Sequence, residues 1–227
     1  MVSDSREDRF GGGDYRHLID WGPRIQREAP FLRAALGEPR GQVVVDLGCG
    51  TGEHARWLAA EGYRAVGLDR SKAQIDRARD YEEERGEHGP FFHQADMLEL
   101  PGLLDEAAEG ALCVGNVLPS LEDEELAPRL EAVAASLRPG ARLAVQLLNY
   151  ARLLGRGLRH LPLNVRPDPE AGDRELVWLR LLSPAGEGHL LFHPVTLELR
   201  PGAEEPVRVR SARELSLIHI SEPTRPY

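Results

Sequence analysis

Apolar and polar positions follow one rhythm before Tyr150 and another after it. Between Asp14 and Leu36, the residues Leu18, Ile19, Ile25, Phe31, Leu32, Ala35 and Leu36 recur at helical spacing. Gly22, Pro23 and Pro30 interrupt that spacing, so two short helices are expected there. Gln42 to Asp46 (QVVVD) is a continuous β-branched run, the pattern of a strand covered on both faces. A helix follows at Glu53–Glu61, then a strand at Arg64–Asp69. Ser71 caps a helix to Arg85 that places Ile75 and Ala78 on one face. Strands are expected at Phe91–Ala95 and Ala111–Val117. The acidic run Glu122 to Glu125 suits the positive end of a helix that continues to Leu137. Pro139 and Gly140 turn the chain into a strand at Ala141–Leu148. Strands alternating with helices predict an α/β fold, a Rossmann-like doubly wound and mostly parallel sheet with helices on both faces.

After Tyr150 the segments Glu175–Leu182, His189–Leu199 and Pro206–Arg210 alternate apolar and polar residues between Gly- and Pro-containing turns. They predict an antiparallel β-rich C-terminal lobe with no helix between its strands. The expected organisation is an N-terminal arm (residues 1–12) with lid helices to residue 37, a core at 38–150, a substrate-side lobe at 151–214 and a tail at 215–227. The tail LSLIHISEPTRPY resembles the translation of a sequencing adapter. On that reading the natural sequence stops near Glu214 and the sheet is incomplete through truncation.

The chain has 227 residues, 41% of them hydrophobic, enough for one buried core with an added lobe. Acidic residues outnumber basic ones 37 to 28, and Lys72 is the single lysine. Binding to long nucleic acids rests on clustered cations, so no nucleic-acid partner is expected. No apolar run approaches the roughly 18 residues of a membrane span, and the polar, acidic N-terminus is unlike a secretory signal. A cytoplasmic protein with no membrane partner is the expectation. Two cysteines, Cys49 and Cys113, are too few for a four-thiolate zinc site, and no metal is expected. His189 and His193 share a strand face, yet nothing nearby completes a ligand set.

The chemistry concentrates at Val43 to Gly52, VVVDLGCGTG. Asp46 closes the first strand, and Gly48, Gly50 and Gly52 alternate directly after it. Glycines there let the backbone approach a ligand that a Cβ would obstruct. A dinucleotide fingerprint places a third glycine where this chain has Glu53. A carboxylate at that helix start opposes a pyrophosphate, which counts against an NAD(P)-dependent oxidoreductase. A cofactor without phosphates and with a cationic, amino-acid-like end suits the corner beside Asp46, and S-adenosylmethionine is such a molecule.

The stretch from Val45 to Gly52 resembles the first motif of class I S-adenosylmethionine-dependent methyltransferases, and later segments keep that family's order. The resemblance implies roles residue by residue. Asp46, Gly48, Cys49, Gly50 and Gly52 line the cofactor. Asp69, followed by Arg70, is similar to the acid that binds the ribose diol, whose two hydroxyls match two carboxylate oxygens. Asp96 and Met97 are similar to the adenine contact. Gly115 and Asn116 resemble the segment that borders sulfonium and acceptor in glycine and sarcosine N-methyltransferase relatives, which makes Asn116 the candidate catalytic residue. Ahead of the first motif, Tyr15, Trp21 and Arg24 are candidates to close over the cofactor. Arg24 would grip the methionine carboxylate, and Arg27 is a near competitor.

Two departures matter. Leu118 and Pro119 stand where methyltransferases of planar amide or adenine nitrogens carry a Pro-Pro-aromatic segment, and Ser120 stands near the place of a histidine found in the glycine-type segment. The expected partner is therefore a small-molecule methyl acceptor, an amine nitrogen first. A cofactor-binding but inactive truncated fragment is the alternative.

Overall fold

The β-branched run Val43 to Val45 builds the strand on which the first half of the molecule is arranged. The computed structural model describes residues 14–85, 89–186 and 189–218. In chain order the elements are α1 (Asp14–Leu18), α2 (Trp21–Leu36), β1 (Val43–Leu47), α3 (Glu53–Glu61), β2 (Arg64–Asp69), α4 (Lys72–Arg85), β3 (Phe91–Gln94), α5 (Leu100–Leu103), β4 (Ala108–Cys113), α6 (Asp123–Ser136) and β5 (Leu137–Val145). There follow α7 (Tyr150–Gly155), β6 (Asn164–Asp168), β7 (Ala171–Gly186), β8 (His189–Leu199), β9 (Val207–Ala212) and β10 (Leu215–Ile218). The chain divides into two units. One comprises Asp20–Leu118 and Asp123–Leu147; the other takes residues 14–19, Pro119–Glu122 and the chain from Leu148 onward.

In the first unit the described strands all run parallel in the order β3-β2-β1-β4-β5. Every residue of β1 is buried, because helices cover both faces of a central parallel strand. One apolar cluster joins Leu32, Val44, Leu58, Tyr63, Leu112 and Ala144; another joins Cys49, Ala55, Ile75, Ala78 and Phe92. The chain builds outward from β1 through β2 to β3, then returns to lay β4 on β1's other side. That reversal opens a crevice beyond the carboxyl ends of β1 and β4, where sheets of this type bind ligands.

Some element limits differ from expectation. α2 runs unbroken from Trp21 to Leu36 with Pro30 inside it. Pro23 falls in the first turn, where a missing N–H forfeits nothing. Pro30 costs about 3 kcal/mol in a helix interior. Burial of Ala29 and of Leu32, which packs with Val44 and Leu112, offsets that cost. β4 ends at Cys113 and not Val117, because Gly115 and Asn116 take left-handed backbone conformations that leave the sheet. β5 begins at Leu137 and not Ala141, and a register shift between Ala108 and Gly110 accommodates the early start.

The second unit is antiparallel. Its strands lie in the order β10-β8-β7-β6, with β9 also paired to β8. β8 alternates buried and half-buried residues along its whole length, the period-2 pattern of a one-sided sheet. Leu18 of α1 packs with Leu176 and Trp178, and Asn164 Nδ2 donates to the Leu18 carbonyl at 2.8 Å. Of the three expected strands, β8 has its expected limits, β7 is longer at both ends, and β9 runs Val207–Ala212 in place of Pro206–Arg210. The structure adds β6, β10 and the short helix α7, which Asn149 caps by accepting from the Arg152 N–H at 2.8 Å. β10 covers the start of the adapter-like tail, and Leu217 is buried with Tyr150, Leu182, Leu190 and Phe192. The N-terminal arm and residues 219–227 lie outside the described residues. No helix among those described is long and apolar enough to cross a membrane.

Candidate cofactor site

The glycine-rich turn after β1 is held by the chain's own acceptors. Gly48 and Cys49 both donate to the Leu68 carbonyl, at 2.7 and 3.0 Å, Gly52 donates to Cys49 O at 3.0 Å, and Gly50 donates to Asp69 Oδ2 at 2.9 Å. Gly48, Gly50 and Gly52 have φ of 68°, 56° and 86°, a left-handed region that glycine enters without steric cost. They differ in surroundings. A Cβ on Gly48 would stand 2.7 Å from Val117 and one on Gly52 2.4 Å from Phe92, whereas one on Gly50 would meet nothing within 4 Å. Gly48 and Gly52 are glycines for packing; Gly50 is bare toward open space.

Asp46 lies under that turn and is 1% exposed. Its carboxyl accepts the Ala55 backbone N–H from the first turn of α3, and Oδ2 has no partner among the described residues. Burial pushes its pKa up to about 6; His54 pulls it down, while Asp69 and Glu53 push it further up. Glu53 is buried in the same helical turn and accepts from Thr51 Oγ1 at 2.6 Å. Two carboxyls thus already meet the positive end of α3, which would otherwise be the place for a pyrophosphate.

Asp69 faces the turn from the end of β2. Its Oδ1 accepts from Ser71 N at 2.8 Å and its Oδ2 from Gly50 N. Burial raises its pKa, and the two backbone donors oppose that rise. A carboxylate offers about four acceptor positions, so each oxygen retains one. Asp96 caps a short 3₁₀ turn, Met97–Glu99: its Oδ1 accepts from Leu98 N at 3.0 Å, while Glu99 Oε1 accepts from the Asp96 N–H. Its Oδ2 accepts from Arg129 Nη2 at 2.7 Å and Nε at 3.2 Å. Although burial works the other way, the Leu98 N–H and the Arg129 and Arg70 guanidiniums hold its pKa below the ordinary carboxylate value. Arg70 lies 3.6 Å from Asp96 Oδ2 and 3.4 Å from Glu125, so it belongs to this ion cluster. Met97 is buried.

Arg24 reaches the site from α2. Its Nε donates to Glu28 Oε1 at 3.0 Å, and its guanidinium lies 4.9 Å from the Trp21 ring centroid. Its Nη2 is 3.6 Å from where a Cβ on Gly115 would stand, which puts the cation beside the loop after β4. Gly115 N donates to Gln146 Oε1 at 2.9 Å. Asn116 has φ of 69°, the single non-glycine in the left-handed region among the described residues. Asparagine is one of the few side chains that tolerate that region. Tyr15 lies in α1, and its side chain is outside the described residues.

The sequence reasoning missed Glu28, His54 and Arg129. His54 is 5% exposed and its Nε2 lies 2.7 Å from Glu28 Oε2, with its ring edge-on to Trp21 at 5.7 Å. No spacing rule links Glu28 to a residue 26 positions on; only the fold joins them. The thiols of Cys49 and Cys113 are buried, and burial pushes the latter up to about 12. In β8, His193 Nε2 lies 3.3 Å from Ser183 Oγ and Nδ1 3.4 Å from Glu214.

A doubly wound parallel sheet with a glycine turn between two buried acids defines a nucleoside-type cofactor domain. Residues 44–140 match the family described as methyltransferase domain. Over 124 residues the chain is 33% identical to the O-methyltransferase resE of Aspergillus sclerotiorum, covering 54% of this chain and 44% of that one. It is 28% identical over 155 residues to human glycine N-methyltransferase, covering 62% and 52% respectively. The chain thus spans about half the length of the curated relatives it matches. Among solved structures, the S-adenosylmethionine-bound amino pentose methyltransferase CalS10 of Micromonospora echinaspora shares the fold with a TM-score of 0.67 at 20% identity, over 91% of this chain and 80% of that one.

Proposed function

We propose that the chain transfers a methyl group from S-adenosylmethionine to a small-molecule acceptor, at an amine nitrogen. The observation that carries the cofactor reading is the pairing of a bare Gly50 with an unpartnered, buried Asp46 oxygen. An acceptor-only oxygen beside an open backbone fits a ligand with a cationic donor and no phosphate. When bound, the cofactor supplies an electrophilic methyl on a sulfonium sulfur, which leaves as a neutral thioether.

The chain's part is to hold and align. Asp69 keeps the glycine turn in shape and retains acceptor positions for a ribose diol. Asp96, anchored by Arg129, keeps one on Oδ1 for an adenine amine. Arg24 offers a guanidinium that matches a carboxylate. Asn116 and Gly115 border the acceptor. Support for nitrogen over oxygen comes from Val114 to Leu118, a stretch with no ionisable side chain. An amine lone pair there needs only orientation, whereas an alcohol needs a base to take its proton. Among similar proteins, the sugar N-methyltransferase KedS8 favours nitrogen, while resE of Aspergillus sclerotiorum and cnsE of Penicillium expansum are O-methyltransferases.

The test is incubation with methyl-labelled S-adenosylmethionine and matched amino and hydroxy acceptors, aminosugars included. Label recovered as N-methyl is the expected result. Label recovered only as O-methyl removes the amine assignment, and binding without turnover favours the inactive-fragment alternative.

A further inference from the structure

Glu28 belongs to none of the glycine or acid segments, yet its two oxygens join two helices. Oε1 accepts from Arg24 Nε at 3.0 Å within α2, and Oε2 lies 2.7 Å from His54 Nε2 in the first turn of α3. We propose that Glu28 is a positioning residue for the cofactor site, clamping Arg24 and His54 together so that α2 presents its guanidinium to the β4 loop in a preset direction. The proposal rests on the cofactor reading given above.

Helix stability alone does not explain the contact. An i,i+4 pair with the cation N-terminal to the acid is the less favourable order and is worth a few tenths of a kcal/mol at most. Here the same carboxylate also reaches a histidine that is 5% exposed and 26 residues away. Burial raises the pKa of Glu28, but His54 and Arg24 outweigh it and leave it below its ordinary value. An ionised carboxylate only accepts, so the His54 proton resides on Nε2 and the ring orientation is fixed. His54 in turn is a favourable charge partner of the buried Asp46. Glu28 therefore links Arg24, beside the β4 loop, to His54, in the helical turn that follows the glycines. On the Arg24 side, bonding through Nε fixes the plane of the guanidinium while Nη2 lies toward Gly115.

The experiment uses the full chain and S-adenosylhomocysteine as probe. Glu28→Gln keeps the shape and removes the charge that serves both partners. Calorimetric titration is expected to show affinity weakened by about tenfold, the scale of one charge-assisted hydrogen bond. Glu28→Gln combined with Arg24→Gln is expected to bind no worse than Arg24→Gln alone, because residues acting as one unit are not additive. A ligand-free reading is the nitrogen NMR spectrum of the His54 imidazole, in which Glu28→Gln shifts the Nε2-protonated population. Should that variant unfold, His54→Asn cuts one arm only and is read by the same titration, with weakened binding expected.

Unchanged affinity in Glu28→Gln overturns the proposal. So does tighter binding, which would mean that Glu28 merely competes for Arg24, and so does full additivity with Arg24→Gln. A wild-type chain that binds no probe overturns the cofactor reading and the clamp's role with it. An unshifted His54 spectrum removes the clamp while leaving the cofactor reading standing.

Discussion

The two units bury acids in opposite ways. In the antiparallel unit Asp168 is buried against Arg210 at 3.1 Å, and Glu198 is buried against Arg200 and against Arg174, the latter at 3.1 Å. Those arginines hold the Glu198 carboxyl below its ordinary range. In the parallel unit Asp46 is equally buried, takes one backbone N–H and leaves Oδ2 unpartnered at the tip of β1. A buried charge costs free energy unless it is paired, and on the proposed reading an outside donor serves the open oxygen of Asp46. On the proposed cofactor reading Asp46 belongs to the site, whereas Asp168 and Glu198 are held by arginines.

The sharpest way to separate site from architecture is a pair of glycines two residues apart. Gly52→Ala drives a Cβ into Phe92 and strains a left-handed backbone, and is expected to cost about 3 kcal/mol in a denaturant melt. Gly50→Ala meets no atom, so its cost is the backbone strain alone, about 1 kcal/mol. Its S-adenosylhomocysteine affinity is nevertheless expected to fall more than about tenfold. Wild-type affinity in Gly50→Ala would break the comparison.

Next in size is Arg210→Met, which takes the cation from Asp168. Breaking a fully buried pair costs about 3–5 kcal/mol, and partial exposure of Arg210 reduces the expected loss to about 2 kcal/mol. Cofactor affinity is expected to hold. The smallest effect reverses sign. Asp46 binds its proton more tightly folded than unfolded, so wild-type stability falls as pH rises from about 4 to about 6. Asp46→Asn lacks that penalty and is expected to be about 1–2 kcal/mol more stable at pH 8, with a flatter pH profile and weaker cofactor binding. A less stable variant at pH 8 would place Asp46 among the architectural acids.

What the sequence made legible was whatever is contiguous. Asp46, the three glycines and the acid closing β2 each sit where an apolar strand meets a turn, and the structure places them together. Arg129 was invisible because its partner Asp96 lies 33 residues earlier, and Glu28 because its second partner lies on another helix. α2 passed through Pro30 because burial outweighed propensity. β6 escaped notice because NVRPD carries a proline and one strongly apolar residue, and its pairing with β7 supplies what the pattern lacks.

The most direct measurement is a crystal structure of the chain grown with S-adenosylhomocysteine. Electron density for the nucleoside between the Gly48–Gly52 turn and Asp69, with a ligand donor on Asp46 Oδ2, is the predicted result. A turn with no density, or ligand bound elsewhere in the molecule, would contradict the account.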